Sequence, residues 1–331
     1  MSHTLTLEAM RGVAAALAPH IHKTPVAPLG GPDLDRLLDP STRVLMKLEL
    51  FQKTGTFKAR GALNVAMQLT PEQRARGITA VSAGNHAIAA AFAAKAVGVS
   101  AKVVVQASAN PRRLAVARSY GAEIVLAADA AAAFAEMERI MADEGRAMIH
   151  PFEGIHTSLG TATLGLELAG QAPDLDAVVV AIGGGGLASG VSAAIKTALP
   201  RCQVYGVEPE GANVMSLSFA KGEPVRMNPP PVTIADSLAP PMTLPVAYGL
   251  CRQYLDDLVT VSDDEICRAL AVQFRDGKLA VEPAAATALA AVLGPLRERL
   301  LGKRVGVIIC GANIDSATFG TLLARGEKAL A

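Results

Sequence analysis

Short apolar runs alternate with longer, alanine-rich segments along most of this chain. The apolar runs are β-branched and nearly uninterrupted, which is typical of parallel strands buried on both faces. The pattern therefore predicts an α/β fold of open, mostly parallel sheets flanked by helices. The predicted strands are 43–47, 78–82, 102–106, 123–127, 177–182, 203–208, 258–261 and 305–310. The predicted helices are about 5–20, 57–69 and 130–144, with others opening at His86, Asn110-Pro111, Leu187 and Asp263 and after Pro283.

Composition limits the size and the partners of this fold. The chain has 331 residues, of which 51% are hydrophobic, enough for two α/β units of ordinary size. The formal charge is only +1, no basic block occurs, and 4% of residues are aromatic, so we expect no nucleic-acid partner. The first residues lack a basic start followed by an apolar core, and Lys95 interrupts the longest apolar run. We therefore expect a cytoplasmic protein without membrane segments.

The four cysteines suggest neither disulfides nor metal. They stand at 202, 251, 267 and 310 and form no C-x-x-C pair and no Cys/His cluster with metal-ligand spacing. We expect no metal site, and three of the cysteines are predicted to be ordinary packed residues.

Lys58, in the stretch KTGTFKARGA, is the first candidate for chemistry. It lies just inside a predicted helix start, where Thr54 and Thr56 are expected to cap free backbone N–H groups. Phe57 places an aromatic ring beside the amine. A lysine amine that is desolvated there can attack an aldehyde, whereas most lysines are simply solvated.

Polar or flexible residues follow three of the predicted strands, where ligands bind in open parallel sheets. Ser82, Ala83, Gly84, Asn85 and His86 form a strand-to-helix turn with a hydroxyl, a carboxamide and free N–H groups, which can hold a carboxylate. Such a turn is also commonly no more than a capped helix start.

The other two strand ends are a glycine loop and a cysteine. Gly183, Gly184, Gly185 and Gly186 precede Leu187 in a strand-to-helix turn that can bring backbone N–H groups to a phosphate. The loop matches neither the G-x-G-x-x-G nor the Gly-Lys-Ser/Thr pattern, so dinucleotide and ATP binding are disfavoured. Cys310 ends the last strand, where a buried thiol most often serves only as a small apolar group.

Taken together, these groups fit pyridoxal phosphate joined to an amino acid. KTGTFKARGA, SAGNHA, GGGGLASG and CGAN, in this order, resemble the serine/threonine dehydratases and serine racemases of the fold type II (tryptophan synthase β-like) pyridoxal phosphate enzymes. The likeness extends to HKTP, HPFEGIH, YGVEPEGA, TIADSLA and VEPAAA, and thus covers nearly the whole chain. It implies two lobes, a large cofactor-binding domain of residues 1–76 and 155–331 and a small mobile domain of residues 77–154.

The resemblance implies a role for each motif residue. Lys58 would form a Schiff base with pyridoxal 5'-phosphate and later remove the substrate's α-proton, while Phe57 packs on the pyridine ring. Asn85 would bind the cofactor's phenolic oxygen, and Cys310 would face the pyridine nitrogen. The backbone of Gly183 through Leu187 would hold the phosphate. Ser82, Ala83, Gly84, Asn85 and His86 would line the site of the substrate carboxylate.

Three positions depart from the family pattern, namely Ala83, Val214 and Ser237. Ala83 stands where racemases have a second catalytic serine, which disfavours racemisation. Glu208 matches a metal ligand of some relatives, but Val214 replaces its aspartate partner, so no metal is expected. Ser237 stands where glycine is usual. Ser237 and Glu282 are two further candidate site residues.

The expected reaction is the dehydration and deamination of L-threonine or L-serine to a 2-oxo acid and ammonia. Alternative substrates are 3-hydroxyaspartate and β-phenylserine. The second carboxylate of 3-hydroxyaspartate needs a cation, which the alanines of 130–133 do not offer, so Arg112, Arg113 and His156 are the candidates for it. Racemase activity ranks lower. The alternative without catalysis is a module that binds a nucleotide phosphate through the glycine loop, in which Lys58 has only a structural role. The family habit implies a homodimer.

Overall fold

The computed structural model describes residues 4–82, 84–107 and 111–330. The strands in these ranges are β1 (Val26–Leu29), β2 (Arg43–Leu48), β3 (Ile78–Val81), β4 (Ala101–Gln106), β5 (Glu123–Ala127), β6 (Ala147–Met148), β7 (Ala177–Ala181), β8 (Gln203–Pro209), β9 (Asp257–Val261) and β10 (Arg304–Ile309). They form two sheets, as the apolar pattern predicts.

The helices alternate with the strands along most of the chain. They are α1 (Leu7–Leu17), α2 (Pro32–Leu37), α3 (Lys58–Met67), α4 (Pro71–Arg76), α5 (Asn85–Val97), α6 (Pro111–Ser119), α7 (Ala130–Glu144), α8 (Ile155–Gln171), α9 (Gly186–Ala198), α10 (Val214–Lys221), α11 (Pro245–Tyr254), α12 (Asp263–Arg275), α13 (Pro283–Leu293) and α14 (Ser316–Lys328). Within the described ranges, no helix has the length and apolar character needed to cross a membrane.

The larger sheet has six strands in the order β1-β2-β10-β7-β8-β9. Its strands run parallel except for β1, which pairs antiparallel with β2 at one edge. The smaller sheet has the order β5-β4-β3-β6 and is parallel throughout. Because parallel strands point the same way, the segments that follow them gather at one edge of each sheet.

Two alanine-rich helices explain why the pattern between strands is so apolar. All residues of α13 are buried, and the helix packs against β7, β8 and β10 of the larger sheet. Ten residues of α5 are buried between the smaller sheet, α3 and α6. A helix surrounded on all sides needs small apolar residues all round, so its sequence shows little amphipathic period.

The α/β class and all eight predicted strands are confirmed, each strand end lying within one residue of its predicted position. The sequence pattern did not predict the edge strand β1, the two-residue strand β6 or the long helix α8. The proline-rich segment 228–245 is mostly loop, as predicted, with one short 3-10 turn at Asp236–Leu238. The boundaries given above for two domains stay a prediction.

Candidate functional site

A cavity of about 460 Å³ opens where the carboxyl ends of strands from both sheets meet. Its lining includes the predicted residues Phe57, Lys58, Ser82, Gly84, Asn85, His86, Gly183, Gly184, Gly185, Gly186, Leu187, Ser237, Glu282 and Cys310. Ala83 lies outside the described residues. The structure thus brings the motif residues together around one site, as expected from the parallel sheets.

Lys58 is the first residue of α3, and its side chain points into this cavity. The Nζ atom donates a hydrogen bond to the carbonyl oxygen of Pro151 at 2.9 Å and lies 5.1 Å from the centre of the Phe57 ring. Burial lowers the pKa of Lys58 to about 8, although the acidic groups Cys310 and Glu282 oppose the shift. Such an amine is neutral far more often than an exposed lysine and is therefore a better nucleophile.

The expected capping of α3 by Thr54 and Thr56 is wrong. No side chain caps the helix at Phe57, because the Thr54 hydroxyl donates to the carbonyl oxygen of Thr56 and the Thr56 hydroxyl has no partner in the described chain. The loop is fixed instead by its backbone. The Phe57 N–H donates to the Cys310 carbonyl oxygen at 3.0 Å, which ties the start of α3 to the end of β10.

A buried network of charges supports α3 behind Lys58. Arg60 is fully buried and donates hydrogen bonds to both carboxylate oxygens of Glu49 at 2.8 Å. It also binds Glu167 of α8 at 2.8 and 2.9 Å, and Glu167 accepts a further bond from Lys47 of β2. Burial alone would lower the pKa of Arg60, but the two carboxylates raise it above its usual value. The network joins β2, α3 and α8, and the sequence analysis missed it.

The glycine loop presents backbone rather than side chains to the cavity. Gly185 has a φ of +103° and precedes α9 without a side-chain cap, so the first N–H groups of α9 have no partner within the helix. A Cβ at Gly184 would come within 2.4 Å of the Phe152 ring, and one at Gly186 within 2.6 Å of the Phe152 backbone. These close contacts require glycine, and the free N–H groups suit an anion such as a phosphate.

A second helix start lies at the turn predicted to hold a carboxylate. Helix α5 begins at Asn85 without a side-chain cap, and the Gly84 N–H donates to the Ser82 hydroxyl at 3.1 Å. The His86 Nε2 lies 2.7 Å from the carbonyl oxygen of Ile149, so this nitrogen carries the proton. Burial, with a contribution from Lys58, lowers the pKa of His86 to about 3. The turn thus offers N–H donors beside a neutral imidazole.

Asn85 and Glu282 form a buried pair across the cavity wall. The Asn85 Nδ2 donates to the Glu282 carboxylate at 2.7 and 2.9 Å, and its Oδ1 accepts from Asn313 Nδ2 at 2.7 Å. Ser237 Oγ lies 3.4 Å from the same Asn85 Nδ2. Burial raises the pKa of Glu282, although the hydrogen bond from Asn85 opposes this shift. Both candidates added to the motif residues, Ser237 and Glu282, therefore touch Asn85.

Cys310 lies directly after β10 and is buried. Burial and the nearby Glu282 carboxylate raise the pKa of its thiol well above the ordinary value, even though Lys58 opposes the shift. The thiol is therefore neutral at physiological pH. The other three cysteines are buried free thiols that do not line the cavity, as predicted for packed residues, although the Cys251 thiol lies 3.7 Å from the carbonyl oxygen of Gly185.

His150 lines the cavity but was not among the predicted site residues. Its Nδ1 accepts hydrogen bonds from the backbone N–H groups of Phe152 and Glu153 at 3.3 and 2.9 Å. The proton of the neutral ring must therefore reside on Nε2. Burial and the charge of Lys58 lower the pKa of His150 to about 4. The segment HPFEGIH contained this residue, but its local sequence gave no sign that Nδ1 would be occupied by backbone donors.

The sequence analysis named Arg112, Arg113 and His156 as candidate cations for a second substrate carboxylate, and of these three Arg113 lines the cavity. Arg113 of α6 lines the cavity, but its Nη1 binds Asp236 at 2.7 Å and its Nε donates to the Asn313 carbonyl oxygen at 2.9 Å. His156 lies instead in a separate surface depression beside α4. Arg112 is not among the residues that line the cavity. Arg113, the arginine among the described lining residues, is therefore already paired.

Glu208 is a helix cap in this structure. Its carboxylate accepts hydrogen bonds from the backbone N–H groups of Met215 and Ser216 at 2.7 and 2.8 Å at the start of α10. Burial raises the pKa of Glu208 to about 7 despite these bonds. In residues 4–82, 84–107 and 111–330, no group of three or more metal-ligating side chains is found.

Comparison with known proteins shows which family this chain resembles. The family model described as "Pyridoxal-phosphate dependent enzyme" matches residues 17–311. The chain is 51% identical to a phenylserine dehydratase of Ralstonia pickettii over 97% of both chains. It is 35% identical to an L-threonine ammonia-lyase of Thermotoga maritima, over 97% of this chain and 79% of that protein. The solved structure of maize serine racemase superimposes with a TM-score of 0.88 at 32% identity and covers 98% of this chain and 99% of its own.

Proposed function

Because the chain belongs to the pyridoxal-phosphate dependent enzymes, with the two-lobed fold type II architecture, we propose that it dehydrates a β-hydroxy amino acid whose Cβ carries an aromatic ring. Its cofactor is pyridoxal 5'-phosphate, and its reaction class is the β-elimination of a β-hydroxy amino acid by an ammonia-lyase. The proposal concerns which amino acid is used. For a β-aryl serine, the products are an aryl pyruvate and ammonia.

The residues present fit the cofactor. Lys58 supplies an amine of lowered pKa, and the uncapped start of α9 after Gly185 offers free backbone N–H groups that suit a phosphate. When bound, the cofactor withdraws electrons from the substrate's Cα. The neutral thiol of Cys310 suits a reaction in which the hydroxyl leaves promptly, because a thiol stabilises a cationic ring less than a carboxylate does.

We propose roles for the remaining residues of the site that their positions support. Lys58 takes the α-proton, and Phe57 packs beside it. The uncapped start of α5, with Ser82, Gly84 and His86, binds the substrate carboxylate through hydrogen bonds. Asn85, held by Glu282, orients the cofactor ring.

One observation carries the proposal of an aromatic substrate, namely the apolar part of the cavity wall. Phe134, Pro240, Pro241 and Met242 contribute apolar side chains to the lining, together with Leu238 and Ala239. A phenyl group buried there gains about 25 cal/mol for each Å² of apolar surface removed from water. The 51% identity to a phenylserine dehydratase supports the same choice.

The test compares substrates on the purified holoenzyme. We would measure 2-oxo acid release, as the hydrazone, from threo- and erythro-3-phenylserine, L-threonine, L-serine and 3-hydroxyaspartate. The expected result is a kcat/KM for one 3-phenylserine isomer that exceeds that for threonine by at least about tenfold, the ratio that about 1.4 kcal/mol of extra transition-state binding gives. A kcat/KM for threonine or serine equal to or above that for 3-phenylserine would refute the aromatic substrate and leave the reaction class intact.

L-Threonine or L-serine is the second candidate substrate. It is supported by the 35% identity to an L-threonine ammonia-lyase and by the polar groups Gln106 and Ser237 in the same lining. 3-Hydroxyaspartate is disfavoured because Arg113, the arginine in the lining, is already bound to Asp236. In the same assay, the ratio of kcat/KM for each of these substrates to kcat/KM for 3-phenylserine shows which one the enzyme prefers.

We further propose that residues 77–154 move as a small domain and close over the substrate, excluding water from the site. The chain is also proposed to act in the cytoplasm and as a homodimer, following the habit of the family. Small-angle scattering with and without a non-reacting amino acid would test the closure. Sedimentation equilibrium would test the dimer, and a monomeric mass at micromolar concentration would contradict it.

A further inference from the structure

We infer that Phe134 of α7 is the residue that selects an aromatic substrate over a small one. The inference rests on the proposed function and adds the contact that distinguishes the substrates. Its basis is the position of this side chain on α7, its exposure to the cavity and the chemistry of the facing wall.

Phe134 does not belong to the core of the protein. Ala133, Met137 and Ile140 form the face of α7 that packs on the smaller sheet, and all three are buried. Phe134 follows Ala133 by one position, so its side chain projects about 100° around the helix from that face. Its ring is 43% exposed and lines the cavity. Single exposed apolar side chains are common, and Phe51 and Phe274 are similarly exposed, so the position of Phe134 in the cavity lining is what distinguishes it.

The wall that shares the cavity with Phe134 comes from the larger sheet's side of the molecule. Pro240, Pro241 and Met242 belong to the loop between the 3-10 turn at Asp236–Leu238 and α11. A proline ring and a thioether both pack well against an aromatic ring, since sulfur and aromatic edges attract each other. A phenyl group on the substrate's Cβ that enters this part of the cavity would therefore find apolar partners in Phe134 and in this loop.

Charge in the cavity is consistent with an uncharged substrate side chain. The charged residues in the described lining are Lys58, Arg113, Asp236 and Glu282. Arg113 pairs with Asp236, and Glu282 accepts from Asn85. A carboxylate on the substrate's Cβ would approach Phe134 without an unpaired cation to receive it, and desolvating it there is costly.

The experiment replaces Phe134 and measures binding as well as turnover. In Phe134→Ala, kcat/KM for the preferred 3-phenylserine isomer should fall about 10- to 100-fold, while kcat/KM for L-threonine changes less than about threefold. The affinity for L-phenylalanine, which has no hydroxyl to expel, is measured by titrating the cofactor's visible spectrum. It should weaken about tenfold or more, whereas the affinity for L-alanine should change little.

Two controls keep the result interpretable. Phe134→Leu retains apolar volume without a ring and should lose less than Phe134→Ala. Phe274→Ala removes a ring with similar exposure, 40%, which packs against Phe319 rather than at the cavity. It should leave both substrates unchanged. An unaltered cofactor spectrum in every variant shows that the site remains folded.

The outcomes separate this inference from the proposed function. If the wild-type enzyme uses 3-phenylserine and Phe134→Ala affects 3-phenylserine and threonine equally, or neither, then Phe134 is not the selecting residue. If the wild-type enzyme does not use 3-phenylserine, the proposed function itself fails. If the loss is confined to 3-phenylserine and L-phenylalanine, both statements are supported.

Discussion

The amine of Lys58 donates its hydrogen bond to the carbonyl oxygen of Pro151, 2.9 Å away, at the base of the cavity. This bond joins the start of α3 to the segment that follows β6 of the smaller sheet. A carbonyl oxygen accepts from either a charged or a neutral amine, so the contact orients Lys58 without fixing its charge. The charge of Lys58 is governed instead by burial, which lowers the pKa of its amine.

The first prediction concerns the pH at which Lys58 becomes reactive in the apoenzyme. With a pKa of about 8, roughly one amine in ten is neutral at pH 7, far more than for a lysine at its ordinary value of about 10.4. The rate of reconstitution with pyridoxal phosphate should rise with pH and level off above about 8. Stopped-flow absorbance would measure it. A rate that keeps rising to pH 10 would contradict the lowered pKa, and Lys58→Ala is the control that forms no reducible bond.

The second prediction tests the glycine loop. Gly184→Ala places a methyl group within 2.4 Å of the Phe152 ring, and Gly186→Ala places one within 2.6 Å of the Phe152 backbone. Each change should weaken cofactor binding by about 5- to 150-fold, because the loop must move away from Phe152 and overpacking of this kind costs about 1–3 kcal/mol. Fluorescence titration of the apoenzyme would give the Kd. Gly249→Ala, where no atom lies within 4 Å of the new methyl group, should bind the cofactor normally.

The third prediction concerns the charge network behind Lys58. Arg60→Met should lower the free energy of unfolding by about 3–5 kcal/mol, because Glu49 and Glu167 lose their buried partner. Urea unfolding followed by circular dichroism would show it. Arg139→Met removes an arginine whose pairs with Glu136 and Asp143 lie at the surface, and it should leave the unfolding midpoint unchanged. Equal midpoints for the wild type and Arg60→Met would show that the network does not stabilise the fold.

The fourth prediction is a loss of stability in mild acid. The pKa of His86 is about 3 in the folded protein and about 6.5 in an unfolded chain, so the unfolded chain takes up the proton first as the pH falls. The free energy of unfolding should therefore decrease below pH 6.5 by up to about 1.4 kcal/mol per pH unit for this group. Urea unfolding between pH 7 and 5 would measure the slope.

The matched variant for this fourth prediction is His86→Gln. A glutamine Nε2 can still donate to the Ile149 carbonyl oxygen, but it has no proton to gain in this range. The slope with pH should become shallower, leaving the contribution of His150, whose pKa of about 4 is lowered in the same direction. An unchanged slope in His86→Gln would show that this histidine does not titrate as described.

The strands were predictable because each is a local run of buried apolar residues, and β7 shows this clearly. Helix α8 was not, because it contains Gly160, Gly165 and several threonines, which are weak helix formers. In the structure a Cβ at Gly160 would fall 2.5 Å from the Arg60 carbonyl oxygen, and one at Gly165 would fall 2.7 Å from Ala194. The glycines permit close packing of α3, α8 and α9, which no local pattern reveals.

The residues of the site also fall into those that the sequence predicted and those that it did not. Lys58, Asn85 and the glycine loop follow strands and carry family motifs, so the sequence predicted that they meet. His150 stands in the segment HPFEGIH, but its role depends on the backbone donors that orient its ring, and Phe134 has no motif and shares the cavity with a loop distant in sequence. Thr54 and Thr56 appeared able to cap α3, but backbone pairing with β10 fixes that turn instead.

The position of β10 in the larger sheet makes the site depend on the last strand of the chain. This last strand lies between β2 and β7, so it joins the strand before Lys58 to the strand before the glycine loop. The smaller sheet uses only strands from Ile78 to Met148, so one continuous segment of the chain supplies all of it. The larger sheet is continuous only through its last strand. Without β10, the lysine and the glycine loop would follow strands of two separate sheets, joined only through the packing of helices α3, α8 and α9.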